Sequence, residues 1–158
     1  KIELKFEGEG DINYQVVKKF NVVLPDMPLK TDLELDVEYE TEGIEVNDMI
    51  SVKVKTKYTG LSTSTGMMLI DVGVPTGFAP VTGTLDDLLD DKRITRYEIA
   101  GRKVIIYVND LQRGEELSFE FKMIAKFPVK AQIPDSKAYS YYKPEVKGEV
   151  KGAEIEVK

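Results

Sequence analysis

Four carboxylates crowd into six positions, at Asp86, Asp87, Asp90 and Asp91. Acids at that density offer two chemistries: holding Ca²⁺, or meeting a basic partner. Adjacent positions on a helix do not converge on one ion, and no loop in this chain has EF-hand spacing. The functional role left to Asp86, Asp87, Asp90 and Asp91 is a partner-binding helix face, set against a plain solvated face that complements the helix dipole. A second cluster, Tyr139, Tyr141 and Tyr142, offers ring faces for stacking on a peptide or glycan, or else forms the core and rim of a sheet. The chain has no His and no Cys. That removes the commonest general base, the thiol nucleophile and the usual zinc ligands, so the hydroxyls of Ser62 and Ser64 have no triad to join. Gly8-x-Gly10 lacks the third glycine and the βαβ setting of a dinucleotide fingerprint and reads as a turn. Residues 59–66 are rich in Ser and Thr, have no Lys at a phosphate-loop position, and read as a surface loop.

The 158 residues weigh 17.8 kDa, with 42% hydrophobic and 32% charged side chains. That supplies a core for one ordinary domain. The net charge of −6 excludes a nucleic-acid groove, which needs a basic face. No apolar run reaches the 18 or so residues of a membrane span. The first residue is Lys and no signal-peptide pattern follows, so the chain is expected to be part of something longer. No cofactor is expected.

The elements that must position these residues read almost throughout with a period of two. Ile2, Leu4 and Phe6 share one face, and Tyr14 to Leu24 is a second β-rich run. Leu33, Leu35, Val37 and Tyr39 alternate with acids. Ile50 to Tyr58 alternates with Lys53, Lys55 and Lys57. Were these two strands neighbours, Glu–Lys pairs across them would favour that register. Met67 to Val74 is nearly continuous in apolar residues and is expected to be buried on both sides. The one helical signal follows. Thr84 stands as an N-cap, Asp86 and Asp87 fall in the first turn, and Lys92 and Arg93 in the last. The helix expected is about Leu85 to Lys92, packed through Leu85, Leu88 and Leu89. Beyond it, Ile94 to Ile99 and Lys103 to Val108 form a hairpin, and Phe119, Phe121 and Met123 line one face of another strand. The fold class is all-β: an antiparallel β-sandwich with one short inserted α-helix. The boundaries expected are terminal strands of a preceding β domain at 1–24, a linker at 25–30, the sandwich at 31–146, and a final strand or linker at 147–158.

Several stretches together resemble the C-terminal receptor-binding domain of the α2-macroglobulins. They are Ser51 to Gly60 (SVKVKTKYTG), Gly66 to Phe78 (GMMLIDVGVPTGF), Leu85 to Leu89, Ile94 to Ile99, Val104 to Val108, Leu117 to Phe121, Pro128-Val129, and Ala138 to Tyr142 (AYSYY). Gly8 to Phe20 is similar to the strand that leaves the thioester domain and completes the neighbouring CUB-like domain. The resemblance implies a non-catalytic C-terminal module of an extracellular or cell-surface protease inhibitor. It would pack on and shield the thioester domain of the same parent chain, then move after cleavage of a bait region. The target proteases would be reached through the parent, since this chain has no Cys to form a thioester. In vertebrate members the helix carries basic residues that dock into acidic, calcium-loaded modules of an endocytic receptor. The matching positions here are Asp86 and Asp90, so no receptor of that type is expected as a partner. The alternative is a β-sandwich adhesion or spacer module of a cell-surface protein, using Tyr139, Tyr141 and Tyr142.

Overall fold

The alternating strands pair edge to edge into two sheets that share one core. The structure, a computed structural model, describes residues 31–158 together with residues 5, 7, 8 and 10. The strands read at Ile2 to Phe6 and Tyr14 to Leu24, and the linker at 25–30, lie outside the described residues. In chain order the elements are β1 (Leu33–Tyr39), β2 (Met49–Tyr58), β3 (Met68–Gly73), β4 (Phe78–Pro80), α1 (Thr82–Asp90), β5 (Arg96–Ala100) and β6 (Lys103–Val108). They continue with β7 (Glu116–Ala125), β8 (Val129–Gln132), β9 (Ser136–Ser140), β10 (Lys147–Val150) and β11 (Glu154–Val157). The first sheet has the order β1-β2-β7-β4 and the second β10-β9-β3-β6-β5. β11 and β8 make a separate two-stranded ladder. Every ladder among the described strands is antiparallel, with one isolated parallel bridge from Ile44 to Val157, so the fold is the antiparallel β-sandwich with one short helix expected from the sequence.

The inner faces follow from the period of two. Val52, Val54, Phe121 and Met123 point in from the first sheet, and Met68, Ile70, Val72, Val104 and Ile106 from the second. β1 and β2 are neighbours, with Glu34 opposite Lys57, Asp36 opposite Lys55 and Glu38 opposite Lys53. β7 repeats the pattern on the far side of β2, where Lys57 faces Glu116 and Lys53 faces Glu120. The outer face of the first sheet is therefore a ladder of alternating charge, worth a few tenths of a kcal/mol or so per cross-strand pair. Lys55 Nζ reaches Glu116 at 3.3 Å.

Residues 147–158 form β10 and β11. Two glycines let this segment tuck in. A Cβ on Gly148 would stand 2.3 Å from the Leu33 carbonyl oxygen, and one on Gly152 would stand 1.8 Å from that of Ile133. β10 thereby comes close to β1, which joins the two sheets along one side. The other end is tied by Tyr39 of β1. Its hydroxyl donates to the Gly73 carbonyl of β3 at 2.8 Å and lies 3.4 Å from Ser136 Oγ of β9. Ser136 Oγ in turn accepts from the Gly73 N–H at 3.0 Å. Burial pushes the Tyr39 phenol up to about 12.

The helix departs from the sequence reading. It begins at Thr82, its N-cap is Val81 and no side chain caps it. The cause is the sheet. Val81 still donates to the Lys122 carbonyl of β7 at 2.8 Å, so β4 runs straight into the helix. Thr84 is thus inside the first turn, where its hydroxyl donates to the Val81 carbonyl and accepts from the Lys122 N–H. Asp86 and Asp87 fall past the first turn, and Lys92 and Arg93 lie beyond the helix instead of in its last turn. Lys92 has φ of 56°. The Lys92 N–H bonds to the Leu89 carbonyl and the Arg93 N–H to the Leu88 carbonyl, both at 2.9 Å. This is a Schellman ending with lysine where glycine is favoured. Leu85 and Leu88 are buried, and Leu89 is half-buried.

Two outcomes follow. Lys92→Gly removes the left-handed strain and raises stability by about 0.5–1 kcal/mol in urea melts; an unchanged or lower midpoint would contradict the Schellman geometry. Tyr39→Phe costs about 1–2 kcal/mol at neutral pH, because the Gly73 carbonyl loses its donor. A phenol whose folded pKa is raised stays protonated in the native state while the unfolded chain ionises. Its contribution is full below pH 10 and fades as pH climbs to about 12. Wild type should therefore lose about 2 kcal/mol more than Tyr39→Phe over that interval, and parallel pH profiles would show that Tyr39 is not the buried link.

Candidate functional site

The acids singled out in the sequence do not converge. Asp86, Asp87 and Asp90 are exposed on α1, and Asp91 is its exposed C-cap. Among the described residues no three acidic side chains are grouped as a cation requires. Asp86 has a local role, accepting a hydrogen bond from the Tyr97 hydroxyl of β5 at 2.7 Å. That bond ties the helix to the second sheet and raises the Tyr97 pKa. The tyrosine cluster divides as well. Tyr139 is half-buried on β9, while Tyr141 and Tyr142 lie past the strand end, 54% and 72% exposed, with their rings edge to face 5.2 Å apart.

The outer face of the second sheet is what the sequence reading missed. On β6, Val104, Ile106 and Val108 point into the core, so Lys103, Ile105 and Tyr107 point out. On β9, Ser136, Ala138 and Ser140 point in, and Lys137 and Tyr139 point out. On β3 the outward residues are Leu69 and Asp71. Strand register sets them in rows. Leu69 lies between Tyr139 and Tyr107, and Asp71 between Lys137 and Ile105. Arg96 of β5 stands opposite Tyr107 with its guanidinium 5.4 Å from the ring centre, a cation–π contact worth about 0.5–1 kcal/mol at a site of this exposure. Beside this row Met67, Arg96, Tyr107, Asn109 and Tyr141 enclose an open hollow of ≈ 370 Å³. A larger hollow of ≈ 650 Å³ lies between the end of α1 and residues 108–117; it mixes Lys92 and Arg93 with Asp110, Glu115 and Glu116.

The charges on this face are used within it. Lys137 and Lys147 share Glu149 at 3.5 and 3.0 Å, Arg96 pairs with Glu98, and Lys103 Nζ meets Asp71 Oδ2 at 2.5 Å. The bond to Asp71 raises the Lys103 pKa, and the lysines beside Glu149 lower that of its carboxyl. Burial is the first cause of the raised pKa values of Tyr107 and Tyr139. Aromatic and aliphatic side chains thus alternate with self-paired charges, and the Asp71–Lys103 pair lies among them on the central strands. This arrangement is suited to burying apolar surface against another body. Two sequence signals pointed to it: a lone acid inside the apolar run of β3, and a Tyr on the outward phase of β6.

The comparisons with known proteins agree with this architecture. The family model of the A-macroglobulin receptor binding domain matches residues 63–151, more than half of the chain. The chain is 26% identical over 151 residues to ovostatin of Gallus gallus, covering 92% of this chain and 10% of ovostatin. It is 30% identical over 154 residues to cobra venom factor of Naja kaouthia, covering 89% of this chain and 9% of that protein. The chain therefore spans about a tenth of the length of the curated relatives it matches. Among solved structures, native alpha-2-macroglobulin from Escherichia coli, spanning domain MG7 to the C-terminus, superposes with a TM-score of 0.67. The identity is 14%, over 84% of this chain and 24% of that one. The trypsin-activated form of the Escherichia coli protein gives a TM-score of 0.68 at 14% identity, over 84% of this chain and 11% of that one. At that identity the likeness is one of fold, and together with the family match over β3, α1 and the strands around them it shows that this chain belongs to the α-macroglobulin receptor-binding domain family.

Proposed function

We propose that this chain is a non-catalytic docking module of an extracellular or cell-surface α2-macroglobulin-like protease inhibitor. In the resting parent it packs the outer face of its second sheet on the thioester domain, shields the thioester from water, and moves away after bait cleavage. The observation that carries this reading is the contrast between the two outer faces. The first sheet presents its Glu–Lys ladder, as a sheet facing water does. The second sets the partly exposed Ile105, Tyr107, Tyr139 and Tyr141 over and around the buried Leu69. An apolar patch on a sheet face marks a contact with another body, and relatives some ten times longer supply the other bodies. In this reading the reactive groups and the contact with target proteases belong to the rest of the parent. The helix acids do not serve an endocytic receptor that chelates lysine. Asp90 offers such a receptor the wrong charge, and Asp86 is held by Tyr97.

The test uses the full-length parent. Tyr141 is 54% exposed, so Tyr141→Asp leaves the fold intact while placing a charge in the docking face. Loss of such an aromatic anchor costs about 1–2 kcal/mol of docking, so thioester attack by a small amine, followed by thiol release, should quicken roughly tenfold. A wild-type rate in a folded variant refutes the shielding role.

A further inference from the structure

Among the described residues one buried side-chain oxygen has no hydrogen-bond partner, and it lies on the docking face: Asp71 Oδ1. Asp71 is 7% exposed, in the middle of β3, itself the middle strand of its sheet. A buried carboxylate oxygen without a donor carries its full desolvation penalty, and such atoms are rare enough in native proteins that each needs a cause. The ion pair with Lys103 is not that cause, because it occupies only Oδ2. Packing is not the cause either: the face around it is filled by Leu69 and Ile105, and an aliphatic residue at position 71 would continue it without an orphan.

We propose that Asp71 is the polar anchor of this face, and that its free oxygen accepts a hydrogen bond from a neutral donor on the thioester domain. The inference rests on the docking reading above and names the chemistry of its partner. A neutral donor, a backbone amide or a hydroxyl, fits better than a cation. Lys103 already balances the Asp71 charge and Lys137 stands directly across on β9, so a third cation would be repelled. Lys137 keeps about half of its side chain in solvent, 50%, and can swing aside as a partner closes, while Lys103 stays on Oδ2. Docking would then give that oxygen a protein donor, which the module's own side chains and backbone do not. The anchor thus favours the docked state over the released one by an interaction absent from the released one.

Asp71→Asn separates this role from a structural one. Asn keeps the shape, can still accept from Lys103 with its one oxygen, and aims an NH₂ at the incoming donor. The 158-residue chain should melt in urea at the wild-type midpoint or above it, since the buried charge is gone. In the full-length parent, the rate of thiol release by methylamine should rise at least tenfold, because the undocked population grows by the factor by which docking weakens. Asp71→Val fills the site with a strand-forming apolar side chain and keeps the test open if the Asn variant does not fold. It removes the acceptor without adding a donor, so its rate should lie between wild type and Asn. A folded variant with the wild-type amine rate overturns the inference, as does a rate that rises only in step with lost stability. If Tyr141→Asp is fast while the Asp71 variants match wild type, the docking reading stands and the anchor alone fails. If the wild-type thioester reacts as fast as Tyr141→Asp, both fall.

Discussion

β3 runs through the centre of the second sheet with both of its faces covered, and the two covers differ in kind. Below it, Met68, Ile70 and Val72 meet the side chains of the opposite sheet in an ordinary sandwich core. Above it lie the long side chains of its own neighbours, Tyr107 and Lys103 from β6 and Tyr139 and Lys137 from β9. That second cover is thin. It hides Leu69 and Asp71 to 6% and 7% exposure, yet leaves its own components half in solvent. A strand so placed has to be apolar on both phases, which is why its sequence runs M-L-I-D-V-G with a single interruption. The rest of the second sheet is arranged about that constraint. β6 and β9 must carry large outward side chains to shelter β3, and the patch they create is what another domain would complete.

The two sheets also divide the work of stability and recognition. The first sheet, with acids on β1 and β7 flanking the lysines of β2, has an outer face that gains nothing by leaving water. Charged pairs there set register and discourage edge-to-edge association, with small net stability. The second sheet could not bear such a ladder without exposing β3. The helix belongs to this division. Through Leu85 and Leu88 it closes the core, and through Asp86 and Tyr97 it is bound to the free edge of the second sheet. Asp86, exposed on the helix, thus also serves the scaffold.

Much of this was legible in the chain, for physical reasons that particular residues make plain. Alternation fixes which side of a strand is buried, so β1, β2 and β7 and their Glu–Lys pairing could be read directly from Leu33 to Tyr58 and Phe119 to Met123. The family likeness was readable from the run around Gly66 to Phe78, which the family model covers. The start of the helix was not legible. Thr84 has the chemistry of a cap, but the ladder bond between Val81 and Lys122 is a long-range interaction that local sequence does not encode, and it moves the first turn toward Thr82. The end was hidden likewise, because Lys92 takes a left-handed conformation in which glycine or asparagine would have been the signal. The tail at 147–158 read as polar repetition, since Gly148 and Gly152 show their purpose only against the carbonyls of Leu33 and Ile133. The outer face of the second sheet was missed for a related reason. Tyr139, Tyr141 and Tyr142 are close in sequence, but what gathers on the face comes from several strands, Leu69 and Asp71 from β3, Ile105 and Tyr107 from β6, and Lys137 and Tyr139 from β9, brought together by register.

Docking through such a surface, as proposed, would have a consequence for how the module is released. Its apolar patch favours association by burying area, a force without direction that tolerates small shifts of register. Release on a trigger needs the opposite quality: an attraction that ends in full over a short displacement. Hydrogen bonds have that steepness, since an N–H···O bond weakens sharply once its angle or length leaves a narrow range. A face composed only of Leu69, Ile105 and the tyrosines would slide before it parted. In the proposed docking, one carboxylate in its midst, held by Lys103 on the central strand, would give a greasy contact a defined closed position. The ring of paired charges supports the same end. Arg96 with Glu98 and Lys137 and Lys147 with Glu149 are already satisfied, so they add little attraction of their own. Docking strength would thereby be concentrated in the few groups at the centre, where a small movement would end it.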